Sequence, residues 1–397
     1  MKRTCIAIAL LLIGCDSLAT ANQPLCVNLP DAMPETWRPS AKVQKGLSAV
    51  PWSAREAEDA KNALATGIDE ILEHFAKHPA AVMDLGDDAV ESLIDVTYSG
   101  GSGSSAVDEA ARDGARRNLG ILTAPYLERD PRSARCDEFE KLLPLAIYAH
   151  RFYPAGEART AKIVAFTNAV YRKCGSFSRA INNDYPGVLD EKDLPPEEVF
   201  DLVIWSIQLI EAELVPGLEL PREAREFSPR LWRYLDSYSL IGAKAYRNGA
   251  WSEQFKDTAY LATHIGYIPT GYHRHPIYIE DAPDLYRFHR ENFYPLLEMG
   301  ELDLVAEVVD SLRQYGCTEA NDLQVRDGTR YLLKVFHEAD DRWMNHREPG
   351  QTDADLSDYD LIHKPWTATI GLRPRVPEPS APGTFGGVVR RWLPQAR

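Results

Sequence analysis

The chain is a succession of amphipathic segments separated by short polar breaks, and this pattern limits the folds open to it. Apolar residues recur with the 3.6-residue period of a helix, as at Leu64 and Ile68. Ser53 followed by Glu56 is typical of a capping box at the start of the first of these helices. The period-two alternation of strands is nearly absent, apart from a short segment at 278–279. The pattern predicts an all-α fold.

About a dozen helices are predicted, joined by short loops. Antiparallel helices connected in this way form hairpins that stack in an array or close into a ring. The longest irregular stretch, 175–195, is a candidate functional loop, because long loops in compact domains often carry function. Beyond the helix that begins after Ser53, the predicted helices lie near 87–97, 106–128, 137–151, 157–173, 196–214, 222–247, 252–268, 284–299, 302–315 and 322–337, with a short one near 365–372.

The net charge argues against two classes of partner. The chain of 397 residues has a formal charge of −15. Nucleic acid and anionic lipid surfaces attract basic proteins, so we expect no nucleic-acid partner and no broad electrostatic attachment to a membrane. The length suffices for one large or two medium domains, and no clear domain boundary divides the helical region.

The N-terminal residues have the pattern of an export signal. Residues 1–14 contain a positive end and a short apolar core, and Leu12-Ile13-Gly14-Cys15 resembles the lipobox of bacterial lipoproteins. The resemblance implies that Cys15 is lipidated and that the protein is anchored to the cell envelope, facing the periplasm. The alternative is cleavage after Ala21, which would give a soluble periplasmic protein.

The remaining organisation follows from composition. Residues 15–52 are rich in proline and polar groups and are predicted to be a tether. Residues 53–372 are predicted to form the helical domain, and the proline-rich tail, 373–397, to lie extended on its surface. No segment after the signal is long and apolar enough to predict a transmembrane helix.

Export places the cysteines in a compartment that permits disulfides. Cys26, Cys136, Cys174 and Cys317 remain in the exported part, and four cysteines allow three pairings, among which the sequence does not choose. Cys136 and Cys174 flank two consecutive predicted helices and are placed to join them. Unpaired buried thiols are the alternative. The long spacings, without a CxxC motif, disfavour a zinc–thiolate site.

The histidine-rich stretch 257–275 is the main candidate site. Read as a helix, it places Asp257, Tyr260, His264 and Tyr267 on one face. Imidazole exchanges protons near neutral pH and is the commonest metal ligand. His264 is therefore a candidate acid–base or metal-binding residue that Asp257 and Tyr267 orient, with Tyr260 contacting substrate. The alternative is a core histidine that is hydrogen-bonded to its neighbours.

The same stretch breaks at a proline and a glycine and then presents His273 and His275. Two histidines separated by one residue are candidate metal ligands, together with His264 or His363. Arg274 between them is a candidate for holding an anionic group of the substrate. The alternative is an exposed basic turn.

The C-terminal third contains the second candidate centre. Residues 300–373 resemble the repeat of the terpenoid-cyclase and prenyltransferase toroids, with an Asp-Gly helix start at Asp327, then Trp343, then the segment containing His363 and Trp366. The resemblance implies an α/α toroid whose working face is its central cavity. It also implies that His363 acts at that cavity and that Trp366 contacts the substrate.

The resemblance carries over only in part. In protein prenyltransferases the zinc ligands are an aspartate, a cysteine and a histidine, which correspond here to Asp327, Thr329 and His363. The threonine leaves that zinc set incomplete. Asp327 remains a candidate catalytic residue if it points into a polar cavity, although the helical pattern favours a solvent-facing position.

Two functions follow from these observations. The first is a lipid-anchored helical-toroid enzyme with a histidine-centred cavity, using acid–base chemistry or a divalent metal on a small molecule or an envelope component. No motif for a nucleotide or nicotinamide cofactor is present. The second is a non-catalytic helical scaffold that binds an envelope partner.

Overall fold

The computed structural model describes residues 26, 34–47, 50–98, 101–154, 156–190, 194–220, 222–271, 276–348, 351–352 and 356–374. All regular secondary structure within these ranges is helical, which confirms the predicted all-α class. The short strand expected near 278–279 is wrong, because Ile279–Asp281 forms a 3₁₀ turn.

The α-helices are numbered in chain order. They are α1 (Ala41–Gln44), α2 (Ala54–Lys77), α3 (Ala81–Leu85), α4 (Asp88–Tyr98), α5 (Ser105–Leu127), α6 (Phe139–Phe152), α7 (Ala158–Cys174), α8 (Phe177–Ala180), α9 (Tyr185–Val188), α10 (Pro196–Ala212), α11 (Arg222–Leu235), α12 (Glu253–Ile265), α13 (Tyr267–Thr270), α14 (Pro283–Met299), α15 (Leu302–Gln314), α16 (Leu323–Glu338) and α17 (Asp358–Leu372). Short 3₁₀ turns occur at Glu35–Trp37, Pro131–Ser133, Cys136–Glu138, Ala243–Ala245, Gly249–Trp251, Ile279–Asp281 and Trp343–Asn345.

Local capping explains where several helices begin. The predicted capping box is confirmed at α2, where the Glu56 amide donates to Ser53 Oγ at 3.2 Å and the Ser53 amide donates to the Glu56 carboxylate at 2.8 Å. A second box at Ser357 and Asp360 starts α17 at Asp358. The sequence predicted only a short helix near 365–372, but this earlier cap starts the helix at Asp358 and the helix continues through Pro365.

Two other boundaries differ from the prediction. The helix expected at 222–247 ends at Leu235. The residues beyond it include Ser237, whose hydroxyl donates to the Tyr234 carbonyl at 2.9 Å and so competes with helical hydrogen bonding. The predicted loop 175–195 contains the short helices α8 and α9.

Close packing brings the C-terminal helix α17 into the core. A β-carbon on Gly67 of α2 would lie only 2.5 Å from the Thr369 methyl, and one on Gly371 would lie 3.0 Å from Ala306 of α15. Both glycines therefore permit close helix–helix approach. Trp343 is completely buried nearby, and its indole donates to the Ala63 carbonyl at 2.8 Å.

The helix contacts follow a regular order. The helices pack in pairs: α4 with α5, α6 with α7, α10 with α11, α12 with α14, α15 with α16, and the C-terminal α17 with α2. The first members of these pairs also contact one another, from α4 to α17, α15, α12, α10 and α6. A closed toroid stays a prediction, and α15, α17 and α12 are the helices that position the candidate site.

The residues before the first long helix pack against the domain instead of only tethering it. Cys26 forms a disulfide with Cys317, and the Gln324 side chain donates to the Trp37 carbonyl at 3.1 Å. The Trp37 ring also meets the Tyr286 ring edge-on at 5.9 Å. The described part of the predicted tether is thus an arm held on the body of the protein.

The second disulfide joins Cys136 to Cys174, the pairing that the flanking helices suggested. No helix in the described ranges is both long enough and apolar enough to cross a bilayer. The predicted signal peptide, Cys15 and all of the predicted tail beyond residue 374 lie outside the described residues.

Candidate functional site

One face of α15 carries three carboxylates. Asp303, Glu307 and Asp310 are spaced at i, i+4 and i+7, so they lie in a row along the helix. The row runs inward, since Asp303 is partly exposed while Glu307 and Asp310 are 5 % and 0 % exposed. The candidate site is built around the outer two, and we call it the histidine–carboxylate centre: Asp303, Glu307, His264 and His363.

Glu307 is the most perturbed acid of this centre. Burial, reinforced by the neighbouring Asp303 and Asp310 charges, raises its pKa to about 8. The Thr263 hydroxyl donates to the Glu307 carboxylate at 2.6 Å and partly opposes the shift. At neutral pH the Glu307 carboxyl is therefore mainly protonated and able to donate a proton.

His264 approaches Glu307 from α12. Its Nδ1 lies 3.8 Å from the nearer Glu307 oxygen and 2.9 Å from the Tyr260 carbonyl oxygen. A carbonyl only accepts hydrogen bonds, so Nδ1 carries the proton and Nε2 is the nitrogen with the lone pair. The imidazole packs against the rings of Phe200 and Tyr267, with centroids 4.6 and 4.8 Å away.

Asp303 lies between the Tyr260 phenol and His363. The Tyr260 phenol donates to the Asp303 carboxylate. Burial, together with Asp303 and Glu307, raises the pKa of Tyr260, so that the phenol stays protonated. On the other side, His363 Nδ1 lies 3.9 Å from the same Asp303 oxygen.

His363 is held by aromatic neighbours on α17. Its imidazole stacks on the Tyr359 ring at 4.9 Å and meets the Trp366 ring edge-on at 5.9 Å. Burial lowers the pKa of His363, although Asp303 and Asp360 oppose the shift. A neutral imidazole at neutral pH is a proton acceptor, the complement of the protonated Glu307.

At the inner end of the row of carboxylates on α15, the charge of Asp310 is neutralised by an ion pair. Arg373 forms an ion pair with Asp310, and both side chains are completely buried. Next to this pair the Trp366 indole donates to Asp95 at 2.7 Å. Burial raises the pKa of Asp95 to about 7, with the Asp310 charge adding to the shift.

A cavity of about 370 Å³ opens above the centre. Phe200 and Tyr260 line its floor and also contact His264 and Asp303, respectively, so the cavity adjoins the centre. Burial and the nearby Glu197 charge raise the pKa of Asp257. We call this cavity the acidic mouth; its lining residues are carboxylates and aromatics, namely Glu197, Glu198, Phe200, Asp201, Asp257 and Tyr260.

Most of the residues singled out in the sequence lie in this region. His264 and His363 contact adjacent carboxylates of α15, and Tyr267 and Trp366 pack on these two rings. Asp257 lines the acidic mouth. The candidates His273, Arg274 and His275 lie outside the described residues.

Asp327 belongs to another region. The expectation that it faces solvent is wrong, because it is 1 % exposed and accepts a hydrogen bond from the Tyr294 phenol at 3.0 Å. Burial raises its pKa to about 6. Thr329 donates to the Val325 carbonyl at 2.8 Å and lies 3.1 Å from Arg313 Nη2. The positions that correspond to the prenyltransferase zinc ligands therefore contact different partners.

The sequence reasoning missed Asp303 and Glu307, the carboxylates on which the centre depends. The available signal was their spacing with Asp310 within an otherwise largely apolar helix, Leu302–Gln314. Tyr359, whose ring covers His363, was missed for a different reason: the helix that carries it was predicted to begin after it.

The described residues contain one cluster of side chains that could donate to a metal. Within the described residues, the only three histidine, cysteine or acidic donors gathered within 4.8 Å are those of Cys26, Cys317 and Asp322. Both cysteines are in a disulfide, and Arg290 is ion-paired with Asp322 at 2.7 Å. A metal at His264 and His363 would thus need further ligands beyond the described part of the chain.

Comparison of the chain with protein-family models, curated proteins and solved structures gave no significant match. Function is therefore inferred from the contacts, burial and charges of the centre and its mouth.

Proposed function

We propose that this protein is an exported enzyme that cleaves a neutral or amine-bearing glycan of the cell envelope by general acid–base catalysis. The observation that carries the proposal is the pairing of two histidines, distant in sequence, with adjacent carboxylates of one helix: His264 with Glu307 and His363 with Asp303. Perturbed titratable groups beside a cavity are typical of active sites.

The proposed roles follow from the protonation states. Glu307 donates its proton to the glycosidic oxygen as the bond from that oxygen to the sugar breaks. His363 accepts a proton from the attacking water, whose oxygen bonds to the sugar. His264 orients Glu307, and the Tyr260 phenol fixes the Asp303 carboxylate between the two halves of the centre.

The acidic mouth supports the choice of substrate. Carboxylates on its wall repel polyanions and attract amines, while Phe200 and Tyr260 offer apolar surfaces for a sugar ring. No lysine or arginine is among the described residues that line it. A neutral or amine-bearing glycan therefore suits the mouth better than an anionic one.

The proposed location and architecture have separate support. Two disulfides are typical of proteins in oxidising compartments, which agrees with export, whereas anchoring through Cys15 rests on the lipobox resemblance alone. The alternative is a soluble periplasmic form cleaved after Ala21. The series of helix–helix contacts from α4 through α17, α15, α12 and α10 to α6 supports a toroid like that of the terpenoid cyclases.

A second form of the same site uses a divalent metal. His264 and His363 would hold it with His273 or His275, and Arg274 would contact the substrate. The metal would activate the attacking water. Insensitivity of turnover to a chelator would argue for the metal-free form.

The proposal is tested with the full-length chain purified from a host that exports it. Chitosan oligosaccharides, neutral β-glucan oligosaccharides and alginate are incubated with the protein, and new reducing ends are measured. We expect cleavage of at least one of the first two and none of alginate. Glu307→Gln and His363→Ala should each lower turnover by at least about 100-fold.

The matched control is Glu109→Gln, which makes the same chemical change on the exposed face of α5 and should leave turnover unchanged. Binding of a glycan without new reducing ends would overturn the enzymatic proposal and favour the non-catalytic scaffold. Full turnover in both Glu307→Gln and His363→Ala would remove the proposed centre.

A further inference from the structure

A second cavity, of about 470 Å³, lies beneath the N-terminal arm. Its walls are the arm itself, the segment that includes Lys244 to Trp251, and helix α14. It shares no lining residue with the acidic mouth. Its size falls within the usual range for sites that bind small ligands. We call it the arm cavity.

The arm that roofs this cavity is fixed at several points. Lys42 is ion-paired with Glu298 of α14 at 2.5 Å. The Trp37 ring packs on Tyr286 and lies 5.6 Å from the Arg290 guanidinium carbon. The Cys26–Cys317 disulfide fixes a position just before the arm. The cavity therefore has a preformed roof, which reduces the entropic cost of binding.

The walls carry charges of both signs that lack protein partners. The side chains of Lys244 and Arg247 are exposed and form no ion pair or hydrogen bond with the described part of the chain. The carboxylates of Glu35, which is exposed on the arm, and Glu291, which is half-buried on α14, likewise form no ion pair or hydrogen bond with the described residues. A ligand of a single charge would satisfy one set and leave the other set without a partner.

The cavity also has an aromatic rim and a polar floor. Trp251 is 56 % exposed at the rim. Tyr294 lines the floor, and its phenol donates to Asp327 directly behind it. Asp327 is 1 % exposed, and its second oxygen, Oδ1, has no hydrogen-bond partner among the described residues.

We propose that the arm cavity is a second ligand site, which binds a short zwitterionic peptide. Lys244 and Arg247 hold the peptide carboxylate, Glu35 and Glu291 hold its ammonium group, and Trp251 covers a peptide side chain. Opposite charges on separate elements of the lining give the orientation, and both ends of the peptide are needed for full affinity. This site is independent of the proposed glycan cleavage.

The test uses trialanine, which is zwitterionic at neutral pH, with two matched probes: N-acetyl-trialanine and trialanine amide. Binding to the full chain is measured by calorimetry and by the change in tryptophan fluorescence. We expect saturable binding of trialanine and at least about tenfold weaker binding of each capped probe, because each lacks one charged end.

Variants then assign the two ends. Lys244→Ala combined with Arg247→Ala should weaken the binding of trialanine and abolish the preference for trialanine over its amide. Glu291→Gln should instead reduce the preference for trialanine over the acetylated probe. Arg225→Ala, an exposed cation on α11, is the control and should change neither preference. Circular dichroism checks that each variant is folded.

Three results would overturn the proposal: no saturable binding of trialanine, equal binding of the capped probes, or unchanged preferences in both sets of variants. Glycan turnover provides an independent readout, since Lys244→Ala with Arg247→Ala should leave it unchanged. A failure of peptide binding is thus distinguishable from a failure of the proposed catalytic centre.

Discussion

The two ends of the acidic row on α15 differ in how their charge is treated. Asp310, at the inner end, is ion-paired with Arg373, and both side chains are completely buried. Glu307, one turn nearer the surface, is almost as buried, yet no lysine or arginine among the described residues forms an ion pair with it. Its contacts are with Thr263 and with the imidazole of His264.

This difference separates a structural carboxylate from a functional one. A buried acid beside a guanidinium keeps its charge, and the pair holds two segments of the fold together. A buried acid without a cation is protonated, which costs stability at higher pH but provides a proton donor. Reactive and stabilising acids thus occupy opposite ends of the row on a single helix, and the following predictions test that division.

The largest effect is expected at the structural end. Asp310→Asn leaves the Arg373 guanidinium buried without its counter-charge, so the free energy of unfolding should fall by about 3–5 kcal/mol. Urea denaturation followed by circular dichroism measures it. Combining Asp310→Asn with Arg373→Met should recover much of the loss, since no unpaired charge remains. A loss below about 1 kcal/mol would mean that the pair does not stabilise the fold.

The next effect is the pH dependence of the free energy of unfolding that Glu307 causes. The pKa of Glu307 is about 8 in the fold against 4.5 ordinarily, so between these values the folded protein binds one proton more than the unfolded chain. Its contribution to the free energy of unfolding therefore falls by about 1.4 kcal/mol per pH unit as pH rises through this window.

Glu307→Gln removes that contribution, and its stability should decline less between pH 5 and pH 8 than that of the unmodified chain. Urea denaturation of both proteins at the two pH values provides the comparison. Asp88 and Asp95, whose pKa values are raised to about 7, contribute equally to the stability of both proteins. Their contributions therefore cancel in the difference between the two. Parallel pH curves would show that Glu307 ionises as freely in the fold as in the unfolded chain.

The pH dependence of turnover should carry the same signature. A general acid must be protonated, so glycan cleavage should decline as pH rises through about 8, the pKa of Glu307. Initial rates from pH 5 to pH 10 test this. A rate that increases up to pH 10 would exclude Glu307 as the proton donor.

A smaller effect is expected where the two halves of the centre meet. Tyr260→Phe removes the phenol that donates to Asp303 while keeping the ring at the floor of the mouth. Losing one hydrogen bond to a carboxylate should lower kcat by about 10-fold with little change in KM. An increase in KM alone would instead assign Tyr260 to substrate binding.

The sequence predicted the positions of helices better than the contacts between them. Helical spacing and the Ser53 cap located α2, because periodicity and capping are local properties. The same spacing correctly marked His264 as a residue with polar neighbours but assigned Asp257 as its carboxylate, whereas the described carboxylate contact is with Glu307 of α15.

Periodicity identifies the face of a helix but not the helix that packs against that face. Asp327 illustrates the limit: its position beside Tyr294 depends on how α14 and α16 meet, which no local pattern encodes. The extent of α17 was missed because the capping box at Ser357 and Asp360 was not recognised in the sequence, and Tyr359 was missed with it.

The most direct test of the shared centre is the titration of His264 by NMR, using ¹³C-labelled histidine in the full chain. Because its Nδ1 lies 3.8 Å from Glu307, the His264 resonance should show an inflection near pH 8, where Glu307 loses its proton. That inflection should disappear in Glu307→Gln and persist in Glu109→Gln. A His264 resonance with no inflection near pH 8, or one that Glu307→Gln leaves unchanged, would contradict a common acid–base centre.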